Sequence, residues 1–213
     1  EKDKRNFVLN ISHDLRSPLF IVQGYIDAIV NGLVTEKEDV DRYLKRVQDK
    51  TQYLNRLIGD LFLISRLETN EIVFKFEELN LIQLIKQVVI DMNFEEKKKD
   101  IQLVMSLELD EFIIEGDRNR LQQVIQNVVS NSIKYTPSNG KVQVLICKYS
   151  EKYIVFEVRD NGIGIKEEEL PTVFDRYYKS KKNEYSQNST GLGLFIAKEI
   201  VEKHEGSIWI RSV

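Results

Sequence analysis

Ile11-Ser12-His13-Asp14-Leu15-Arg16-Ser17-Pro18-Leu19-Phe20-Ile21-Val22 decides the fold, because its apolar residues keep helical step straight through a proline. Ile11, Leu15, Pro18, Val22, Tyr25 and Ile29 fall alternately four and three apart, the seam of one helix packed on another. Ser17-Pro18 could instead open a helix, with Ser as N-cap and Pro in the first turn. The unbroken phase favours a continuous helix with a local kink, the proline ring removing the amide that would meet the Asp14 carbonyl. Val40, Leu44, Val47, Thr51, Leu54, Ile58 and Leu61 repeat the rhythm. Between the two stretches, Asn31-Gly32 breaks the pattern, and Thr35-Glu36-Lys37-Glu38 has the form of a capping box. The spacing predicts an antiparallel helical hairpin. Its second apolar edge, Tyr43, Leu57 and Ile64, calls for a partner, so two copies are expected to form a four-helix bundle, a homodimer.

Beyond Glu68-Thr69-Asn70 the rhythm becomes mixed. Strands are predicted at Ile72 to Phe76, Ile101 to Leu107, near Ile113, at Val142 to Tyr149, at Tyr153 to Arg159 and at Ser207 to Ile210. Helices are predicted from Leu81 to about Lys97, Arg118 to Tyr135, around Glu168 to Phe174, and Leu192 to His204. The fold class is α+β: a two-helix hairpin over residues 1–68, then an α/β sandwich over 69–213 with helices on one face of a sheet.

With 213 residues and 42% hydrophobic content the chain can bury a sizeable core. Its 31 Lys and Arg against 34 Asp and Glu leave a net charge of -3, which argues against nucleic acid as a partner. Cys147 lies in a strand-like run and reads as a small buried hydrophobe. No apolar run approaches the ~20 residues that span a bilayer, so no membrane contact and a cytoplasmic setting are expected for these residues. The chain opens inside a helical pattern and ends in a strand-like run without a cap, as a piece of a longer protein would. Glu95 to Lys99 reads as a solvated helix end and Lys179 to Thr190 as a mobile loop.

Two histidines differ in setting. His204 precedes Gly206 at the close of a helix, where a partly positive ring suits the dipole. His13 stands about 200° around its helix from Ile11, away from the seam and exposed. Asp14 can accept a hydrogen bond from one ring nitrogen and make the other a better nucleophile. Ser17, four residues on, shares the face of His13. On the helix from Arg118, which is expected to bury Leu121, Val124, Ile125 and Val128, three polar residues recur on another face. These are Asn127, Asn131 and Lys134, a set suited to oxygen ligation of Mg²⁺ and contact with phosphate. Asp160-Asn161-Gly162-Ile163-Gly164-Ile165 is either a hairpin turn or a loop whose carboxylate accepts an adenine amino group. Thr190-Gly191-Leu192-Gly193-Leu194 opens a helix and leaves amides free for phosphate, without Walker or dinucleotide spacing.

Ile11 to Leu19 resembles the H box of sensor histidine kinases, and Asn127 to Tyr135 resembles their N box. Asp160 to Ile165 and Thr190 to Leu194 are similar to their two glycine boxes, and Val173-Phe174-Asp175-Arg176-Tyr177-Tyr178-Lys179 to their F box. Five motifs in the family's order cover nearly the whole chain. The resemblance implies an ATP-binding domain of the gyrase, chaperone, histidine kinase and MutL type, with ATP and Mg²⁺ as cofactors. It makes His13 the phosphoacceptor, Asp14 the base, Ser17 an aid to phosphatase action and Arg176 a cation for the γ-phosphate. It places Asn127, Asn131, Lys134, Tyr135, Asp160, Gly162, Gly164, Lys179, Thr190, Gly191, Leu192, Gly193 and Leu194 at the nucleotide, with Asn131 and then Asn127 on the metal. The phosphoryl group would pass to an aspartate of a response regulator, and the family often sits at a membrane. Ser17 stands where Thr or Asn is usual, and Asn188 and Ser189 where a further glycine is common. Two other classes are an ATP-driven clamp of the gyrase or chaperone type and an inactive kinase-like scaffold. The hairpin with His13 argues against the first, and intact Asn131, Asp160 and Gly191 against the second.

Overall fold

The computed structural model describes residues 2–69, 71–92, 100–179 and 190–212, with backbone only for 2–10, 13 and 68. The chain divides into two compact units, Glu1–Glu71 and Ile72–Val213.

The first unit is two long helices, α1 (Lys2–Val30) and α2 (Lys37–Glu68). α1 runs through Pro18, which is buried. Gly32 takes φ +68 in the turn, and the Leu33 amide donates to the Ala28 carbonyl at 2.9 Å, closing α1. Tyr25 meets Tyr43 edge to face, centroids 4.9 Å apart, which sets the antiparallel register. The capping box does not form. α2 starts one residue later than it requires, with Glu36 at the N-cap and no side-chain cap bond, while Glu38 and Asp39 favour the positive helix end. The seam also differs from the expected one. Leu57 and Ile64 are fully buried, whereas Leu44 and Ile58 are half exposed, so the seam turns toward the expected outer edge while Val40, Val47, Leu54 and Leu61 stay half-buried beside it. Tyr43, Tyr53, Leu57 and Ile64, spaced ten, four and seven apart, share one helical stripe, and that stripe is the one that turns inward.

The second unit begins with β1 (Glu77–Asn80), α3 (Leu81–Asp91), β2 (Gln102–Leu107) and β3 (Ile113–Gly116). It continues with α4 (Arg118–Tyr135), β4 (Lys141–Lys148), β5 (Ile154–Asp160), a 3-10 turn at Glu167–Thr172 and α5 (Gly193–Lys203). β2 runs parallel to β4, which pairs antiparallel with β5; β1 and β3 form a separate antiparallel pair. Along β4 every second residue is buried, and Val142, Val144 and Ile146 face Ile82, Ile85, Ile125 and Val129 in one core. Fully burying each such side chain contributes about 1.5–3 kcal/mol. On α4 the buried stripe is Leu121, Val124, Ile125, Val129 and Ile133; Val128 lies at its edge, half-buried.

Three expected elements change. Residues 72–76 form no strand, because β3 ends at Gly116 opposite Glu77 and the next residue, Asp117, already caps α4. α3 closes at Asp91, and the segment 93–99, including the expected helix end, lies outside the described residues. Residues 207–210 join no sheet among the described residues, although Ile208 and Ile210 are half-buried and Trp209 is exposed, as a strand-like alternation requires.

Candidate active site

α4 starts at a carboxylate cap, with Asp117 Oδ1 accepting the Arg120 amide at 3.1 Å. Its apolar stripe faces the sheet, so Asn127, Asn131 and Lys134 come to one adjoining face, all half-buried. Asn127 Nδ2 donates to the Gly193 carbonyl at 3.0 Å, which leaves the amide oxygen to accept and ties α4 to the start of α5. Lys134 Nζ stands 5.1 Å from the centre of the Tyr135 ring.

The loop after β5 packs on the end of the same helix. The Gly162 amide donates to Asp160 Oδ1 at 3.0 Å, and the Ile163 amide to the Tyr135 carbonyl at 3.3 Å. A Cβ on Gly162 would come within 2.6 Å of that carbonyl oxygen, so only glycine fits. Gly164 has φ +69, a conformation side chains avoid. This is a loop, not a hairpin turn, and it leaves Asp160 exposed at the strand end. Asn161, not singled out from sequence, pins it by accepting the Lys141 amide at 2.7 Å.

The third wall joins residues 173–179 to residues 190–194. Gly191 has φ +68, and a Cβ there would meet Tyr178 O and Tyr177 C at 2.8 Å. The Arg176 guanidinium lies 4.5 Å from the ring centre of Phe195. Sequence reasoning missed Phe195, for which the signal was a large aromatic in the first turn of a glycine-led helix. The Leu192 amide donates to Thr190 Oγ1 at 3.3 Å, and α5 opens with no side-chain cap among the described residues, an arrangement that suits its first amides to an anion. Thus direct contacts pair Asn127 with Gly193 and Tyr135 with Gly162, while Gly191 abuts Tyr177 and Tyr178; Lys134 shares α4, Asp160 ends β5 and Arg176 lies on the third wall. Asn188 and Ser189 lie outside the described residues, as do all but the ends of the expected mobile loop.

His13, Asp14 and Ser17 belong to the other unit. His13 is on α1 with its side chain outside the described residues; Asp14 is half-buried and Ser17 exposed. Burial above all, then the charge of Asp14, pushes the Tyr53 phenol up to about 12 against the pull of Arg56, which sets the Asp14 carboxylate near α2.

No group of three His, Cys, Asp or Glu among the described residues could hold a metal. Two asparagine side-chain oxygens on one face of α4 suit Mg²⁺, which keeps few protein ligands and takes the rest from phosphate and water. No helix of the described residues is long and apolar enough to cross a membrane.

The fold and site define a nucleotide-binding α/β sandwich joined to a histidine-bearing helical hairpin. Residues 116–213 match the family described as histidine kinase-, DNA gyrase B- and HSP90-like ATPase, and residues 3–70 match the His kinase A phospho-acceptor domain. Sensor histidine kinase WalK of Bacillus subtilis is 33% identical over 215 residues, 100% of this chain and 35% of that protein. The catalytic domain of histidine kinase ThkA is 31% identical, with a TM-score of 0.55 over 63% of this chain and 87% of that one. ThkA in complex with the response regulator protein TrrA matches at a TM-score of 0.72 and 26% identity, over 96% of this chain and 56% of that one. The chain belongs to the histidine kinases and carries the two modules of their catalytic core. It spans about a third of the length of the curated relatives it matches.

Proposed function

We propose that this chain is the catalytic core of an ATP-dependent protein histidine kinase of a two-component system. ATP enters between α4 and the start of α5, its adenine amino group on Asp160 and its phosphates at Asn127, Asn131, Lys134 and the amides of Gly191 to Leu194. Tyr135, Gly162 and Gly164 shape the base side, and Lys179 and Thr190 the phosphate side. Mg²⁺ held by Asn131 and Asn127 supplies charge neutralisation at the phosphates. One ring nitrogen of His13 bonds to the γ-phosphorus as the bond from that phosphorus to ADP breaks. The ring proton passes to Asp14, and Arg176 meets charge on the transferring group. The phosphoryl group then moves to an aspartate of a response regulator, and Ser17 orients the water that later hydrolyses that aspartyl phosphate to free aspartate and inorganic phosphate.

The observation that carries this reading is the Asn127–Gly193 bond, which joins the polar ladder of α4 to the glycine-led start of α5 in a chain that also bears His13 on a separate hairpin. ThkA, matched above, is captured with a response regulator, which supports a receiver domain as partner. Two hairpins are expected to pair through the exposed edge of α2, and the working location is cytoplasmic, with any membrane anchor elsewhere in the whole protein. To test the relay, the labelled chain, freed of ATP, is mixed with receiver domains of the source organism. Label should leave the kinase for one receiver within seconds to minutes; label that leaves for none, or for all at equal rates, contradicts a specific relay.

A further inference from the structure

The segment that joins the two units is gripped by groups outside the nucleotide site. The Glu71 amide donates to the Arg66 carbonyl at 3.0 Å and stays with the end of α2. Four residues later the chain is fixed to the second unit: the Lys75 amide donates to Asp117 Oδ2 at 3.0 Å. Phe74 and Phe76 flank the His204 ring, with centroids 5.7 and 5.0 Å away. The ring is itself oriented at both nitrogens. Nδ1 is 2.8 Å from the Ile200 carbonyl, to which it donates, and Nε2 accepts the Asp117 amide at 3.0 Å. Only the neutral ring protonated at Nδ1 satisfies both bonds. Gly116 gives the ring its room, since a Cβ there would come within 3.2 Å of it and 2.8 Å of Leu121.

Asp117 and His204 therefore join the interdomain segment to the start of α4 and the end of α5. Asn127 lies ten residues along α4, about 15 Å away at 1.5 Å per residue, and Gly193 lies at the far end of α5.

We propose that the Asp117–His204 pair, with Phe74 and Phe76, is a positioning anchor that sets the tether length over which the nucleotide unit reaches His13. The proposal rests on reading His13 as the phosphoacceptor. With the anchor closed, only Ile72 and Val73 are free between the two fixed ends, and Val73 is 84% exposed. With it open, the free stretch runs through Phe76 to the start of β1. Once a tether spans its two sites, effective concentration falls roughly as the −3/2 power of its length, so with two residues already sufficient for reach, growth to five dilutes the nucleotide unit at His13 about fourfold. Nucleotide affinity stays, because the anchor lies at the other ends of both helices.

The test uses the whole chain carrying Phe74→Ala with Phe76→Ala, His204→Ala or His204→Gln. It reads hydrogen exchange at the Lys75 amide, ATP affinity by calorimetry, and autophosphorylation at saturating ATP. Expected for the double variant and His204→Ala are free exchange at Lys75, a kcat lowered roughly fourfold and a KM for ATP within twofold. His204→Gln, whose side-chain oxygen can accept the Asp117 amide, should recover part of the rate. An unchanged or raised rate with free exchange at Lys75 overturns the proposal, as do parallel losses of rate, ATP affinity and Tm. If the unsubstituted chain takes no label, the kinase reading fails first and the anchor's role in reach falls with it. Exchange at Lys75 separates that case.

Discussion

Gly191 and Asn131 test the nucleotide site in different ways. At Gly191 both φ and the approach of the Tyr177–Tyr178 backbone forbid a side chain. Gly191→Ala should therefore cost on the order of 1–3 kcal/mol of local strain and weaken ATP binding, read by calorimetry beside the Tm. On the proposed reading, Asn131→Ala removes a ligand to charge worth about 1.5–3 kcal/mol, which predicts a Mg·ATP affinity about ten- to a hundredfold lower with an unchanged Tm. Asp117 carries a pH signature. Burial works against its charge, but the amides of Lys75, Arg120 and Asn119 and the Arg120 guanidinium prevail and hold its carboxyl below the usual 3.8. A lowered value means its stabilisation is present above that pH and is lost as pH falls through the folded value. Melts in this acid range should show a slope that Asp117→Asn reduces, with Glu157, also held low by Arg159, supplying part of the rest. At this scale the sequence pointed to Asn127, Asn131, Asp160 and Gly191 because spacing and turn chemistry are local. It read His204 as a partner of the helix C-terminus, which the bond to the Ile200 carbonyl fits, but it could not show the second hold on the ring, because the Asp117 amide stands 87 residues away.

Among the elements, α4 was legible to the residue. Its carboxylate cap and its 3.6-residue period are both local, and Arg118–Tyr135 is both the predicted and the observed span. The strand at 72–76 was not, because its apolar alternation says nothing of whether β3 is long enough to pair with it. The seam of α2 failed for a related reason: Leu44, Thr51 and Ile58 and the set Tyr43, Leu57 and Ile64 are both helical stripes, and only the partner helix selects one. The rejected stripe now makes a prediction. Leu44, Ile58 and Phe62 are exposed, 67% in the case of Phe62, so Leu44→Glu with Ile58→Glu should convert a dimer to a monomer in light scattering. If the unsubstituted hairpin is monomeric at micromolar concentration, that edge has another use. Tyr53 tests the other side of α2. Its raised value means that the neutral phenol stabilises fully below pH 10 and that this is lost as pH rises through about 12. An alkaline melt of the hairpin in that window should be blunted by Tyr53→Phe.

At the scale of the molecule, His13 and the proposed nucleotide site belong to two separate units, so on the proposed chemistry the coupling of the two units enters the rate. Tether length and anchoring then enter the rate without entering nucleotide affinity, which is why the Asp117–His204 pair should separate kcat from KM. The five motifs foretold both units because each is a short local pattern. The way the joining segment is held was invisible, since it depends on contacts among residues 74, 116, 117 and 204. The most direct measurement is incubation with γ-labelled ATP and Mg²⁺, followed by acid and alkali treatment of the unsubstituted chain and His13→Gln. The account predicts label on the unsubstituted chain that survives alkali and is lost in acid, and none on His13→Gln. Acid-stable label, or undiminished label on His13→Gln, would contradict it.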